Sequence, residues 1–85
     1  MLTADQVLVF MFLNRSASHD AGGIARSFQD AGHFVSTDDV RGLLDHLVGL
    51  GCVIQSPVHS MGINPYCVTF EGEGRASALL ALTVQ

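Results

Sequence analysis

The side chains best suited to hold a transition metal are four histidines (His19, His33, His46, His59) and two cysteines (Cys52, Cys67). None stands at chelating spacing, since no C-x-x-C, H-x-x-x-H or comparable pair occurs. Cys52 and Cys67 fall on neighbouring predicted strands where they could face each other, with His46 or His59 nearby. Small buried hydrophobes in a reduced protein account for them better. Cys–His catalysis needs a thiolate beside a base, with a third group to orient it, and no such third group is identifiable. Asp38 and Asp39 are adjacent carboxylates, but they stand at a predicted helix amino terminus, where the helix dipole stabilises them. Gly22-Gly23 and Gly72-x-Gly74 match neither G-x-x-x-x-G-K-[ST] nor G-x-G-x-x-G and read as helix boundaries. The expectation is a non-enzymatic protein with no catalytic residues, no metal site and no cofactor.

The remaining chemistry is charge. The 85 residues carry 4 basic against 8 acidic side chains, a formal net charge of −4, with 48% hydrophobic and 14% charged residues. Every basic residue is an arginine (Arg15, Arg26, Arg41, Arg75). A polycationic nucleic-acid binder, whose affinity comes from neutralising several phosphates, is therefore disfavoured. The high apolar fraction and modest charge exclude intrinsic disorder. The length predicts one domain, 1–85, which must build its core efficiently. The longest apolar run, Val7 to Leu13, falls far short of the roughly 20 residues of a membrane span. The amino terminus lacks a basic segment ahead of its apolar stretch. These features predict a cytoplasmic chain with reduced cysteines and no membrane partner.

The elements that must position these residues follow from capping signals and periodicity. Thr3 with Gln6 forms a capping box that opens a helix over Ala4–Asn14. That helix is apolar almost all round, and one small core cannot hide it. Asp20 or Ser18 can cap a second helix, Ala21–Ala31, with an apolar stripe of Ile24, Ala25, Phe28 and Ala31 and a left-handed stop at Gly32. Ser36 with Asp39 is a second capping box. It opens a helix whose Val40, Leu44, Leu47 and Leu50 recur on one face, closed by Gly51. Cys52–Ser56 and Pro65–Phe70 alternate as strands, with Val53/Gln55 and Tyr66/Val68/Phe70 on their respective faces. Glu71–Gly74 reads as a turn, and Arg75–Val84 as a closing helix.

Helix, helix, helix, hairpin, helix is the order of a winged helix. The run Val40-x3-Leu44-x2-Leu47-x2-Leu50-Gly51 followed by Val53 and Ile54, with Tyr66-x-Val68-x-Phe70 and Glu73-Gly74-Arg75, resembles the bacterial winged-helix regulators of the MarR and ArsR type over roughly residues 20–80. The resemblance implies an α+β fold: three helices, a two-stranded β-hairpin wing and a C-terminal helix. It also implies a dimeric DNA-binding transcriptional regulator, with Thr37, Arg41 and Arg15 as the DNA contacts.

The residues themselves depart from that job. The interval from Ile24 to Val40 is longer than the usual tight turn. The outward positions of the third helix are Thr37, Asp38, Arg41, Gly42 and Asp45, two carboxylates against one guanidinium. The wing tip His59-Ser60-Met61-Gly62-Ile63-Asn64 has no arginine or lysine. The leading expectation is thus an adaptor or inhibitor acting through protein–protein contacts. Its acidic face (Asp20, Asp30, Asp38, Asp39, Asp45) suits a partner with a basic surface, including a nucleic-acid-binding protein. Its wing tip offers His59, Met61 and Ile63. Homodimerisation is expected through Val9, Phe10, Phe12, Leu79 and Leu82. DNA binding is the rival expectation.

Overall fold

A helix begins where a side chain can satisfy amide groups that the helix itself leaves open. At Thr3 the hydroxyl accepts from the Gln6 amide at 3.2 Å, while the Thr3 amide donates to Gln6 Oε1 at 2.8 Å. This opens α1 (Ala4–Leu13), which ends where the Asn14 side-chain amide donates to the Phe10 carbonyl at 2.8 Å. Asp20 caps α2 (Ala21–Asp30) by accepting from the Gly23 amide at 3.3 Å, and Gly32 follows with φ of 98°. The Ser36–Asp39 box opens α3 (Thr37–Gly49), and Gly51, with φ of 77°, releases the chain beyond it. Only glycine takes that left-handed backbone without strain. These assignments come from a computed structural model that describes residues 1–17, 19–56 and 65–83.

Strands β1 (Val53–Gln55) and β2 (Tyr66–Val68) pair antiparallel, with Val53 opposite Val68, Ile54 opposite Cys67 and Gln55 opposite Tyr66. Val53 and Tyr66 point into the core, and Ile54 and Cys67 point outward. An isolated antiparallel bridge joins His19 to Tyr66, whose amide donates to the His19 carbonyl at 2.6 Å. The segment before α2 is thereby tied to the free edge of β2.

Two expectations are corrected here. Glu71–Gly74 is not a turn: α4 runs from Phe70 to Thr83. Thr69 starts it, accepting from the Gly72 amide at 3.1 Å and donating to the Gly51 carbonyl. Phe70 consequently leaves the strand alternation and stands exposed. Gly72 is a packing residue, because a Cβ there would overlap the Cys52 carbonyl oxygen and come within 2.8 Å of Val68 Cγ1. The second correction concerns the cysteines, which do not face each other. Cys52 is buried just ahead of β1, Cys67 lies exposed opposite Ile54, and both are free thiols.

The core joins Val7, Leu8 and Met11 of α1 to Ile24 and Ala25 of α2 and to Val40, Leu44 and Leu47 of α3. Val53, Tyr66 and Ala76 close it from the hairpin and α4. Helix α1 is central, packing against both α3 and α4, and α2 packs directly on α3 despite the long interval between them. Each large aliphatic side chain buried here contributes about 2 kcal/mol.

Candidate functional site

The exposed face of α3 is set by its apolar stripe. With Val40, Leu44 and Leu47 buried, Asp38, Arg41, Gly42 and Asp45 are exposed and Thr37 is half-buried. Asp38 and Asp45 are seven residues apart and so share a face, with Arg41 between them. The Arg41 guanidinium is engaged locally, its Nη1 lying 2.7 Å from Asp38 Oδ1. Asp39 belongs to the cap. The Ser36 amide donates to its carboxylate at 3.0 Å, and the Ser36 hydroxyl adds a second favourable contact. Together they hold its carboxyl below the ordinary carboxylate value.

The five expected aspartates fall into three places. Asp30 ends α2, and Asp38 and Asp39 form the first turn of α3, so these three bracket the connector 31–36. Asp45 lies further along α3, about 10 Å from Asp38 along the helix axis. Asp20 is at the opposite end of α2, about 15 Å from Asp30, where it caps its own helix. Asp20 therefore stands apart from the other four.

The guanidinium groups are dispersed. Arg15 folds back on α1, donating to the Phe12 carbonyl at 2.9 Å with its head 4.8 Å from the Phe12 ring centre. Arg75 of α4 pairs with Asp5 of α1 at 3.1 Å. Arg26 on α2 is exposed and has no partner among the described residues. Arg15 lines a cleft of about 180 Å³ with Tyr66, Cys67 and Glu73 at the hairpin, rather than extending the α3 face. Thr37, Arg41 and Arg15 thus do not form one basic ridge. The wing-tip residues His59, Met61 and Ile63 lie outside the described residues.

The apolar surface of α1 and α4 is the other candidate interface. Val9, Phe10 and Phe12 are half-buried, as is Leu79, and Leu82 is 70% exposed. Beside them runs a groove of about 470 Å³ lined by Val9, Phe10, Leu13, Phe28 and Leu80, with Asp5 and Gln6 on its rim. Leu13, at 61% exposure, and Leu80 were not singled out from sequence. The i,i+4 step from Val9 to Leu13 is the signal that could have shown Leu13. Phe28 enters the groove through its ring contact with Phe10, 5.2 Å between centres, which is visible only in three dimensions.

His19 is 8% exposed and touches Phe10 edge-on with ring centres 5.8 Å apart. Its Nε2 donates to the Asn14 carbonyl at 2.8 Å, so the imidazole holds the loop after α1. Of the other histidines, His33 packs its ring on Phe28 and His46 is exposed on α3. No group of three His, Cys, Asp or Glu side chains converges as a metal site among the described residues. None of the helices, within those residues, is long and apolar enough to cross a membrane.

Three core helices, a two-stranded hairpin behind the third and a helix returning onto the first define the winged-helix class of α+β fold. The solved structure of SSV1 F-93 is similar, with a TM-score of 0.66 and 16% sequence identity over 99% of this chain and 90% of that one. At that identity the likeness shows the fold alone. No family model and no curated protein matches the sequence.

Proposed function

We propose that this chain is a non-enzymatic winged-helix adaptor or inhibitor that acts by protein–protein contact and pairs with a second copy through α1 and α4. The carrying observation is the surface of α3, the helix that reads DNA in winged-helix regulators. It bears Asp38, Asp39 and Asp45 against one arginine, and that arginine is closed onto Asp38 at 2.7 Å. A duplex presents phosphates at this face and would be repelled. A basic protein surface would be steered toward it. The half-buried Val9, Phe10 and Phe12 of α1, with Leu13 and Leu82 exposed, support self-association.

The test is a pair of titrations at low salt, against labelled duplex DNA and against a lysine-rich basic protein such as a histone. The expected result is binding of the basic protein that weakens as salt rises, and none of the DNA. DNA binding with a steep salt slope, abolished by Arg41→Ala, would overturn the reading in favour of a dimeric DNA-binding regulator.

A further inference from the structure

We infer that the connector between α2 and α3 presents Phe34 as an apolar anchor for a basic amphipathic segment of the partner protein; this deepens the acidic-face reading and rests on it. Phe34 is fully exposed. A slack loop would fold such a ring back onto the body, since burial of an aromatic side chain is strongly favourable. This connector is fixed on both sides of the ring. The His33 amide donates to the Phe28 carbonyl at 2.9 Å, and the His33 imidazole packs edge-on against Phe28 with centres 5.4 Å apart. One residue beyond Phe34, the Val35 carbonyl accepts from Gln29 Nε2 at 2.7 Å. The backbone therefore holds Phe34 outward.

Beneath the ring lies a cleft of about 290 Å³ lined by Met1, Leu2, Phe34, Val35, Asp39 and Leu43. It is an apolar pocket with one carboxylate in its wall. Asp38 stands next to that carboxylate, and Asp30 precedes the connector on the other side. Arg41 pairs with Asp38 at 2.7 Å, so among the described residues the unpaired negative charge at this end is that of Asp39 in the cleft wall and Asp30 before the connector. An apolar centre rimmed by negative charge fits a segment that places an aliphatic residue in the cleft and lysines around it, the arrangement in which a few central residues carry most of the binding energy. A second copy of this chain does not fit, because it would bring the same carboxylates face to face.

The experiment uses two synthetic peptides and the intact protein, read by fluorescence anisotropy at low salt. One peptide is an amphipathic helix of leucine and lysine, and the other has serine in place of every leucine. Wild-type protein is expected to bind the Leu/Lys peptide at least about tenfold more tightly than the Ser/Lys peptide. Phe34→Ser should erase that preference and leave the weak Ser/Lys binding unchanged, whereas Phe34→Leu should retain most of it. The paired change Asp30→Asn with Asp38→Asn should weaken both peptides. Phe34 is exposed, so circular dichroism should show Phe34→Ser folded as wild type. If Phe34→Ser keeps the leucine preference, the anchor is wrong while the acidic-face reading stands. If wild type binds neither peptide, the acidic-face reading itself fails. If Phe34→Ser converts a dimer to a monomer, the connector is a self-association surface and the inference is overturned.

Discussion

At the scale of single residues, two positions carry more than their types suggest. Gly72 faces a main-chain carbonyl, which cannot swing aside as a side chain would. Gly72→Ala is therefore expected to destabilise the protein by about 3 kcal/mol, despite alanine's better helix propensity, as read from urea unfolding midpoints. Asp39 gives a pH signature. Its folded carboxyl titrates below the ordinary value because ionised oxygen accepts from Ser36. The stability it contributes is fully present above the unfolded value of about 4 and lost as pH falls through the folded value. Asp39→Asn should accordingly be less stable than wild type at neutral pH, and the gap should close on acidification. A gap that stays constant would show that the carboxylate's charge contributes nothing. Phe34 shows the opposite limit of sequence reading: nothing in a single phenylalanine between histidine and valine reveals that the fold leaves it bare.

Among the elements, those opened by side-chain caps were legible. Thr3 with Gln6 and Ser36 with Asp39 are local signals, and both boxes form with the partners their spacing implies. The apolar stripe of α3 was readable over Val40, Leu44 and Leu47, which a period of 3.6 places on one side, but Leu50, expected on the same face, is the C-cap residue and stands exposed. The start of α4 was not legible. Two glycines at 72 and 74 suggest a break by propensity, yet one of them is required by a contact with Cys52, twenty positions away. The His19–Tyr66 bridge was hidden for the same reason, being a pairing between distant segments. Thr69 is the residue that resolves the first case, since its hydroxyl serves both the Gly72 amide and the Gly51 carbonyl. Thr69→Ala should cost about 1–2 kcal/mol and speed hydrogen exchange at Gly72 and Glu73, leaving exchange in α3 unchanged.

For the whole molecule, the distribution of charge separates two kinds of surface. The α2–α3 end gathers Asp30, Asp38 and Asp39, while on the α1–α4 side Arg75 pairs with Asp5 and the exposed Glu71 and Glu73 stand in the first turn of α4. In the proposed pairing through α1 and α4, the contact would centre on the carboxyl-terminal parts of both helices, away from Glu71 and Glu73, where the groove beside Leu13 could receive an apolar side chain from the other copy. Leu13→Glu combined with Leu82→Glu should yield a monomer by sedimentation velocity, with a circular dichroism spectrum unchanged, because both side chains are already exposed. A species of unchanged mass would remove this face from consideration. The candidate surfaces were only partly visible in sequence: the acidic residues could be named, but their sorting into a group of three, Asp45 along α3 and an outlying Asp20 depends on where the helix ends fall.

The tight seat of Gly72 on the Cys52 carbonyl has a mechanical corollary. With Thr69 bonded to both sides of that joint, the root of the hairpin and the first turn of α4 cannot pivot independently. A tilt of the hairpin must carry the last helix with it, as a crank carries its shaft. If two copies pair through α1 and α4 as proposed, a force on the root of the hairpin would reach the helix at that interface.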